Sequence, residues 1–389
     1  MIDTGFMRGA LDEMIRIESS LPNERRLAGF LADELRAMGL SPRLTDVSPG
    51  RPNVTARLDC GSCDGFLVFS GHSDTVHPAS GWRTDPFEPI EENGRLLGLG
   101  AINMKSGLAV MLAALRELTS SSKLQSRLGS VGFAVTVDQE GLSTGARALL
   151  DTKYGRCDAM LHAEHFFGSS TDDYLPAAGM GKVLYRIRVL GEAGHAFRPE
   201  EGGINAIDDA ARIVRALEGL ALGDDPVLGR GTLSVLRIEG GAREYSVVIP
   251  ERCDILATRL IVPGETIDSA VSELVGLIDS LELASTVEVD TPPPCYRPYA
   301  LDRASRIATA FDASYERVVG SAPVYAGHRG VTDANIFAGE AGIPTVVFGP
   351  RGGLHHRPGE YVELDSLEPA ARVFTGAALG FFDSHECCD

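Results

Sequence analysis

A chain of 389 residues is too long for one small core and suits two domains of ordinary size. Its 44% hydrophobic residues with only 6% aromatics describe a soluble α/β protein rather than a membrane-embedded or disordered one. A net charge of −18, from 54 acids against 36 bases with no basic tract, argues against nucleic acid or an anionic membrane surface as a partner. The start, Met1-Ile2-Asp3-Thr4-Gly5-Phe6, lacks a charged segment followed by an apolar run, so it does not read as a signal peptide. No apolar run approaches the ~20 residues that span a bilayer. The cysteines, odd in number at 7, include Cys60-Gly61-Ser62-Cys63 and Cys387-Cys388. They read as free thiols of a reducing, cytoplasmic compartment.

Along the chain the apolar period switches repeatedly. Residues 6–18 and 24–38 carry helical spacing, and Gly39 closes the second helix. Asn53–Leu58 and Gly65–Ser70 read as strands, the latter a buried one running straight into His72. A helix is expected over 104–120, with Lys105 on its surface, and Gly132–Val137 is a buried strand leading into Asp138. This alternation predicts a mostly parallel sheet covered by helices, in which ligands collect beyond the carboxyl ends of the strands. Lys182–Val189, the helix Asn205–Leu217, strands Thr232–Ile238 and Cys253–Ile261, a helix over 265–281 and the strand Thr286–Asp290 follow the order βαββαβ of a ferredoxin-like unit. Pro292-Pro293-Pro294 marks a return linker, after which Thr345–Gly349 is another buried strand. The expected organisation is a catalytic domain in two parts, 1–180 and 292–389, with an inserted lid domain over 181–291.

The chemistry begins at His72-Ser73-Asp74, a histidine able to ligate a metal and a carboxylate able to fix its tautomer. Gly98-Leu99-Gly100-Ala101-Ile102-Asn103-Met104-Lys105 follows, where a carboxylate at the start of a helix could bridge two cations; here that residue is Asn103. In Asp138-Gln139-Glu140 a general base would precede a metal ligand, and Gln139 holds the base position while Glu140 holds the ligand position. Glu164 and His356 are the remaining candidate ligands. His-x-Asp alone is common, and its bland alternative is a loop histidine bonded locally. Its weight comes from its partners.

With these residues in view the chain resembles the family of acetylornithine deacetylases, succinyl-diaminopimelate desuccinylases, carboxypeptidase G and aminoacylases. The resemblance runs over nearly the whole chain: Gly71–Val76 with Trp82 and Asp85-Pro86-Phe87, then Gly191-Glu192-Ala193-Gly194-His195 with Pro199 and Gly203–Ile207, then Gly330–Ala334 and His356–Val362. It implies a homodimeric enzyme, joined through the lid, whose dinuclear zinc centre (sometimes cobalt or manganese) hydrolyses an amide next to a free carboxylate. The substrate would be a small molecule, an N-acyl amino acid or short peptide. On that pattern His72 and Glu164 hold one metal and Glu140 and His356 the other, with Asn103 at the bridging position. His195 resembles the lid histidine that stabilises the tetrahedral oxyanion, and Arg259 the arginine that grips the substrate carboxylate. Ser246-Val247-Val248-Ile249-Pro250 departs from the family's Asn-x-x-Pro. The bland alternatives are a strand-capping role for His195 and a surface ion pair for Arg259. His162, His165 and His355 lie off the pattern and read as supporting or structural histidines.

The two amides set the functional expectation. A bridging carboxylate brings a negative charge and two oxygens, whereas an amide brings one neutral oxygen. At most one tightly bound ion is expected. A general base typically contributes ~10²–10⁴-fold to rate, and glutamine cannot accept the proton. The expected protein is therefore a metal-dependent amidohydrolase with an altered site, in which Asp138 or a nearby histidine could stand in as base. The alternatives are a non-hydrolytic enzyme that forms or isomerises a bond on the same scaffold, and a catalytically inactive binding protein or inactivated variant.

Overall fold

The computed structural model describes residues 1–165 and 174–383; Cys387-Cys388 lies outside them. The chain forms two compact units, one from Met1–Ala177, Leu301–Ala326 and Thr332–Asp389, the other from Ala178–Ala300 and Gly327–Val331. The Pro292-Pro293-Pro294 stretch, read above as a return linker, therefore stays with the second unit.

In the first unit a six-stranded sheet runs in the order Arg43–Ser48, Arg51–Asp59, Ser130–Thr136, Phe66–His72, Ala159–His162, Thr345–Val347. The last four strands are mutually parallel, and the first two join antiparallel. Every residue of Phe66–His72, Ser130–Thr136 and Ala159–His162 is buried, as expected where parallel neighbours and covering layers hide both faces. The helices Thr4–Arg16, Arg25–Ala37, Ser106–Ser120 and Leu367–Asp383 supply Leu11, Met14, Leu27, Leu31, Leu112, Phe374 and Phe381 to one continuous core. Each such side chain contributes roughly 1.5–3 kcal/mol on burial.

Two details near the site correct the sequence reading. The helix proper begins at Ser106, because the backbone leaves helical geometry at Asn103 (φ −117°, ψ 92°) and Met104 (φ −135°, ψ 35°). Lys105 is not on a helix surface but 1% exposed, its Nζ donating to the Ile17 carbonyl at 3.0 Å. Burial pulls its pKa down to about 7 against the pull of Glu360 and Glu18. The aliphatic stem sits against Gly100, whose φ of +76° and lack of space for a Cβ require glycine.

In the second unit the sheet order is Thr232–Gly240, Arg252–Ile261, Gly181–Leu190, Thr286–Asp290, with all three pairings antiparallel. This is the ferredoxin-like arrangement. Residues of Gly181–Leu190 alternate strictly between buried and half-buried, so Val183, Tyr185, Ile187 and Val189 meet Ile213 of the helix Ala206–Leu217 and Leu274 of the helix Ile267–Asp279 in one core. A capping box between Thr266 and Ser269 starts the latter helix.

Candidate active site

The carboxyl ends of three parallel strands deliver the site in the first unit. Phe66–His72 ends in His72, Ser130–Thr136 leads into the Asp138–Glu140 loop, and Ala159–His162 leads into Glu164. His356, with φ of +61°, and Asn103 enter from the loops beside them. His72, Asp74, Asn103, Gln139, Glu140, Glu164 and His356 are all brought together; Arg259 and His195 belong to the second unit.

His72 is enclosed by oxygens. Its Nδ1 lies 3.0 Å from the Asp74 carbonyl and 3.5 Å from Asp74 Oδ1, and its Nε2 lies 3.2 Å from Asn103 Oδ1 and 3.5 Å from Glu164 Oε1. Burial alone would favour the neutral ring, but Asp74 and Glu164 override it and hold the pKa well above the ordinary histidine value. Glu164 is correspondingly held well below the usual carboxylate range: burial opposes ionisation, and His165 and His72 outweigh it. Asp74 does more than face His72. Its two oxygens accept the backbone N–H groups of Gln139 and Glu140 at 3.1 and 2.9 Å, which fixes the loop carrying both.

The two amides are fully engaged. Asn103 Nδ2 donates to Glu140 Oε1 at 2.6 Å and lies 3.0 Å from His356 Nε2, while Glu140 Oε1 and His356 Nε2 are 2.9 Å apart. This orientation of the amide is the one that satisfies both ends, since the reverse would set its oxygen against a carboxylate. Gln139 Nε2 donates to Glu164 Oε1, and Gln139 Oε1 accepts the Asp333 N–H at 3.2 Å. Asn103 and Gln139, which the resemblance puts at the bridge and base positions, thus donate to Glu140 and Glu164.

Such a donor set does not fit a pair of ions. Asn103 turns its oxygen toward His72 and its N–H toward Glu140 and His356, so one side of any pair would meet an amide hydrogen. Among the described residues no three His, Cys, Asp or Glu side chains are placed to hold a metal ion. Asp138 is also unsuited to stand in as base: its carboxylate turns back to Thr144 Oγ1 at 2.7 Å and to Arg51 Nη2 at 3.0 Å.

Two supporting acids escaped the sequence reading, although both lie in motifs it noted. Glu360, 1% exposed, accepts the backbone N–H groups of Ile102 and Asn103 at 3.1 Å each and so sets the turn that presents Asn103. Asp333, 0% exposed, accepts Thr136 Oγ1 at 2.7 Å, and burial pushes its pKa up to about 7. His162 is buried against Ser70, 3.1 Å from its hydroxyl, and burial lowers its pKa to about 4. His165 lies 3.2 Å from Glu164 Oε2 and 4.9 Å from the His355 ring, a pair that the sequence left off the pattern.

In the second unit the resemblance fares unevenly. His195 is exposed; its Nδ1 accepts the Phe197 N–H at 3.2 Å and its carbonyl the Arg198 N–H at 2.9 Å, and its backbone bridges to Val248. Arg259 is not at the surface, where its bland alternative put it. It is 0% exposed, and its guanidinium is taken up by Glu265 and by Glu273 at 2.8 Å.

The match to known proteins follows this geometry. Residues 68–380 match the model of peptidase family M20/M25/M40. The chain belongs to that family. A succinyl-diaminopimelate desuccinylase 2 of Shewanella loihica is 28% identical over 392 residues, 95% of this chain and 99% of that protein. An N-formyl-4-amino-5-aminomethyl-2-methylpyrimidine deformylase of Bacillus subtilis is 26% identical over 407 residues, 92% of this chain and 91% of that protein. Among solved structures, aminopeptidase PepT from Bacillus cereus superposes with a TM-score of 0.79 at 21% identity, covering 98% of this chain and 100% of that one, which speaks for the fold. As an M20/M25/M40 member the chain has the scaffold of a metal-dependent hydrolase of amide and peptide bonds. No described helix is long and apolar enough to cross a membrane.

Proposed function

We propose that this protein keeps the cleft of a hydrolase acting on an amide next to a free carboxylate, but has lost the two-ion centre and the proton acceptor that make such hydrolysis fast. One observation carries the reading: the Asn103 amide donates to Glu140 at 2.6 Å and faces His356 at 3.0 Å, where a bridging carboxylate would serve a second ion. The proposed cofactor is accordingly at most one ion, zinc or else cobalt or manganese. Gln139 cannot take a proton, which removes the ~10²–10⁴-fold that a general base typically supplies. The substrate class we propose is an N-acyl amino acid or short peptide, in keeping with the desuccinylase and deformylase relatives.

His195 remains our candidate for contact with the substrate oxyanion, because its side chain is exposed. Arg259 leaves the proposal. We place the protein in the cytoplasm as a homodimer joined through the second unit. Its edge strand Thr232–Gly240 has no neighbour on its outer side among the described residues and carries Leu236 and Ile238 at 56% and 51% exposure, an edge that invites pairing. A second reading, a ligand-binding protein or an enzyme that forms or isomerises a bond, is favoured by the engagement of both ends of Gln139, which holds it to hydrogen bonding with Glu164 and Asp333.

The test is an assay of N-acyl amino acids and dipeptides with the natural sequence and with the Asn103→Asp/Gln139→Glu double variant. The proposal expects hydrolysis to rise by at least 10²-fold in the double variant. Ordinary enzyme rates in the natural sequence would overturn it, and inactivity in both would favour the second reading.

A further inference from the structure

Away from the proposed active site, the first unit contains a cavity of about 620 Å³ between one face of its sheet and the segment Thr144–Arg156. Its floor comes from the cross-strand neighbours Arg43 and Thr55, and Thr45 and Asn53, which register places on the same face of Arg43–Ser48 and Arg51–Asp59. Val47, Leu149 and the buried Tyr154 ring give it apolar surface. The volume falls in the ~300–1,000 Å³ range of small-molecule pockets.

The charges around it do not cancel. Asp46 is bound by Arg25 at 2.7 and 2.8 Å, and Asp59 pairs with Arg57, which also donates to Ser130 at 2.6 Å. Arg43 and Lys153 remain, with no acidic partner among the described residues. In a chain of net charge −18, two uncompensated cations at the rim of a half-apolar cavity point to an anionic ligand with an apolar body.

The cavity wall also reaches the active-site loop. Asn53, 4% exposed, accepts the Val137 N–H at 3.1 Å and donates to the Gly145 carbonyl at 2.8 Å. One side chain of the cavity therefore clips together both ends of the loop that carries Gln139 and Glu140. We propose that this cavity is a second binding site, for a small amphipathic carboxylate. Its acid group meets Arg43 and Lys153, its apolar body lies against Val47, Leu149 and Tyr154, and occupancy tightens the 138–144 loop through Asn53.

The probe is 4-fluorobenzoate, followed by fluorine NMR on the full chain, with 4-fluorobenzyl alcohol as the neutral control. Binding of the carboxylate should exceed that of the alcohol at least tenfold. It should weaken at least tenfold in Arg43→Glu/Lys153→Glu and, independently of charge, in Thr45→Trp, which fills the cavity; these positions are exposed, and circular dichroism checks that the variants fold. Hydrogen exchange over 137–145 should slow on adding the probe. No binding at millimolar concentration, or binding that neither variant weakens, would overturn the site. Unchanged exchange over 137–145 would overturn its link to the loop.

Discussion

The Asn103 side chain donates to Glu140 Oε1 at 2.6 Å, and through its other end it lies 3.2 Å from His72 Nε2. A neutral amide thus links Glu140 to His72, where the resemblance expects a carboxylate. Replacing Asn103 with aspartate exchanges a donor for a second carboxylate beside Glu140. In chelator at pH 8 the variant should be less stable by about 2 kcal/mol in urea unfolding, from one lost charged hydrogen bond and the new repulsion. Equal stability at pH 8 would contradict this.

Asp333 gives a pH signature with a definite sign. Burial raises its pKa from 3.8 to about 7, so the folded chain holds a proton that the unfolded chain has lost. Its contribution is fully present below pH 3.8 and disappears as pH rises through 7. Between pH 5 and 8 the natural protein should lose roughly 2–3 kcal/mol from this group, a loss that Asp333→Asn escapes. Denaturant unfolding of both proteins at the two pH values measures the difference; parallel pH dependences would refute the assignment.

Arg259 should matter for stability and not for substrate. Arg259→Met leaves Glu265 and Glu273 without their cation and should lower the thermal midpoint. Binding of N-acyl amino acids, read by calorimetry below that midpoint, should be unchanged. Lost binding at an unchanged midpoint would restore the carboxylate-gripping role.

The exposed edge strand makes the dimer testable. The natural protein should run as a dimer in light scattering, and Leu236→Glu/Ile238→Glu as a monomer that still folds. A monomeric natural protein would remove the proposed interface.

Legibility in the sequence followed burial. The strands Phe66–His72 and Ser130–Thr136 were readable because both faces are covered, which demands unbroken apolar runs. The edge strand Arg43–Ser48 was not, since its Arg-Leu-Thr-Asp-Val-Ser is almost wholly exposed and lacks apolar alternation. That His72, Asn103, Glu140, Glu164 and His356 lie near one another is legible because each follows a motif at a strand end or loop. The burial of Lys105 and Arg259 is not legible for one reason: each is a cation that the fold surrounds with specific oxygen partners, and local sequence carries no sign of partners such as Ile17 or Glu273. Glu360 and Asp333 bind backbone or hydroxyl groups distant in the chain, a relation that spacing does not encode.

The most direct test of the central claim is the metal content of the purified chain after saturation with zinc and removal of the excess, measured by plasma mass spectrometry beside Asn103→Asp. At most one ion per chain is expected here and close to two in the variant, because only a carboxylate offers an oxygen to each side. Two tightly held ions in the natural chain would contradict it.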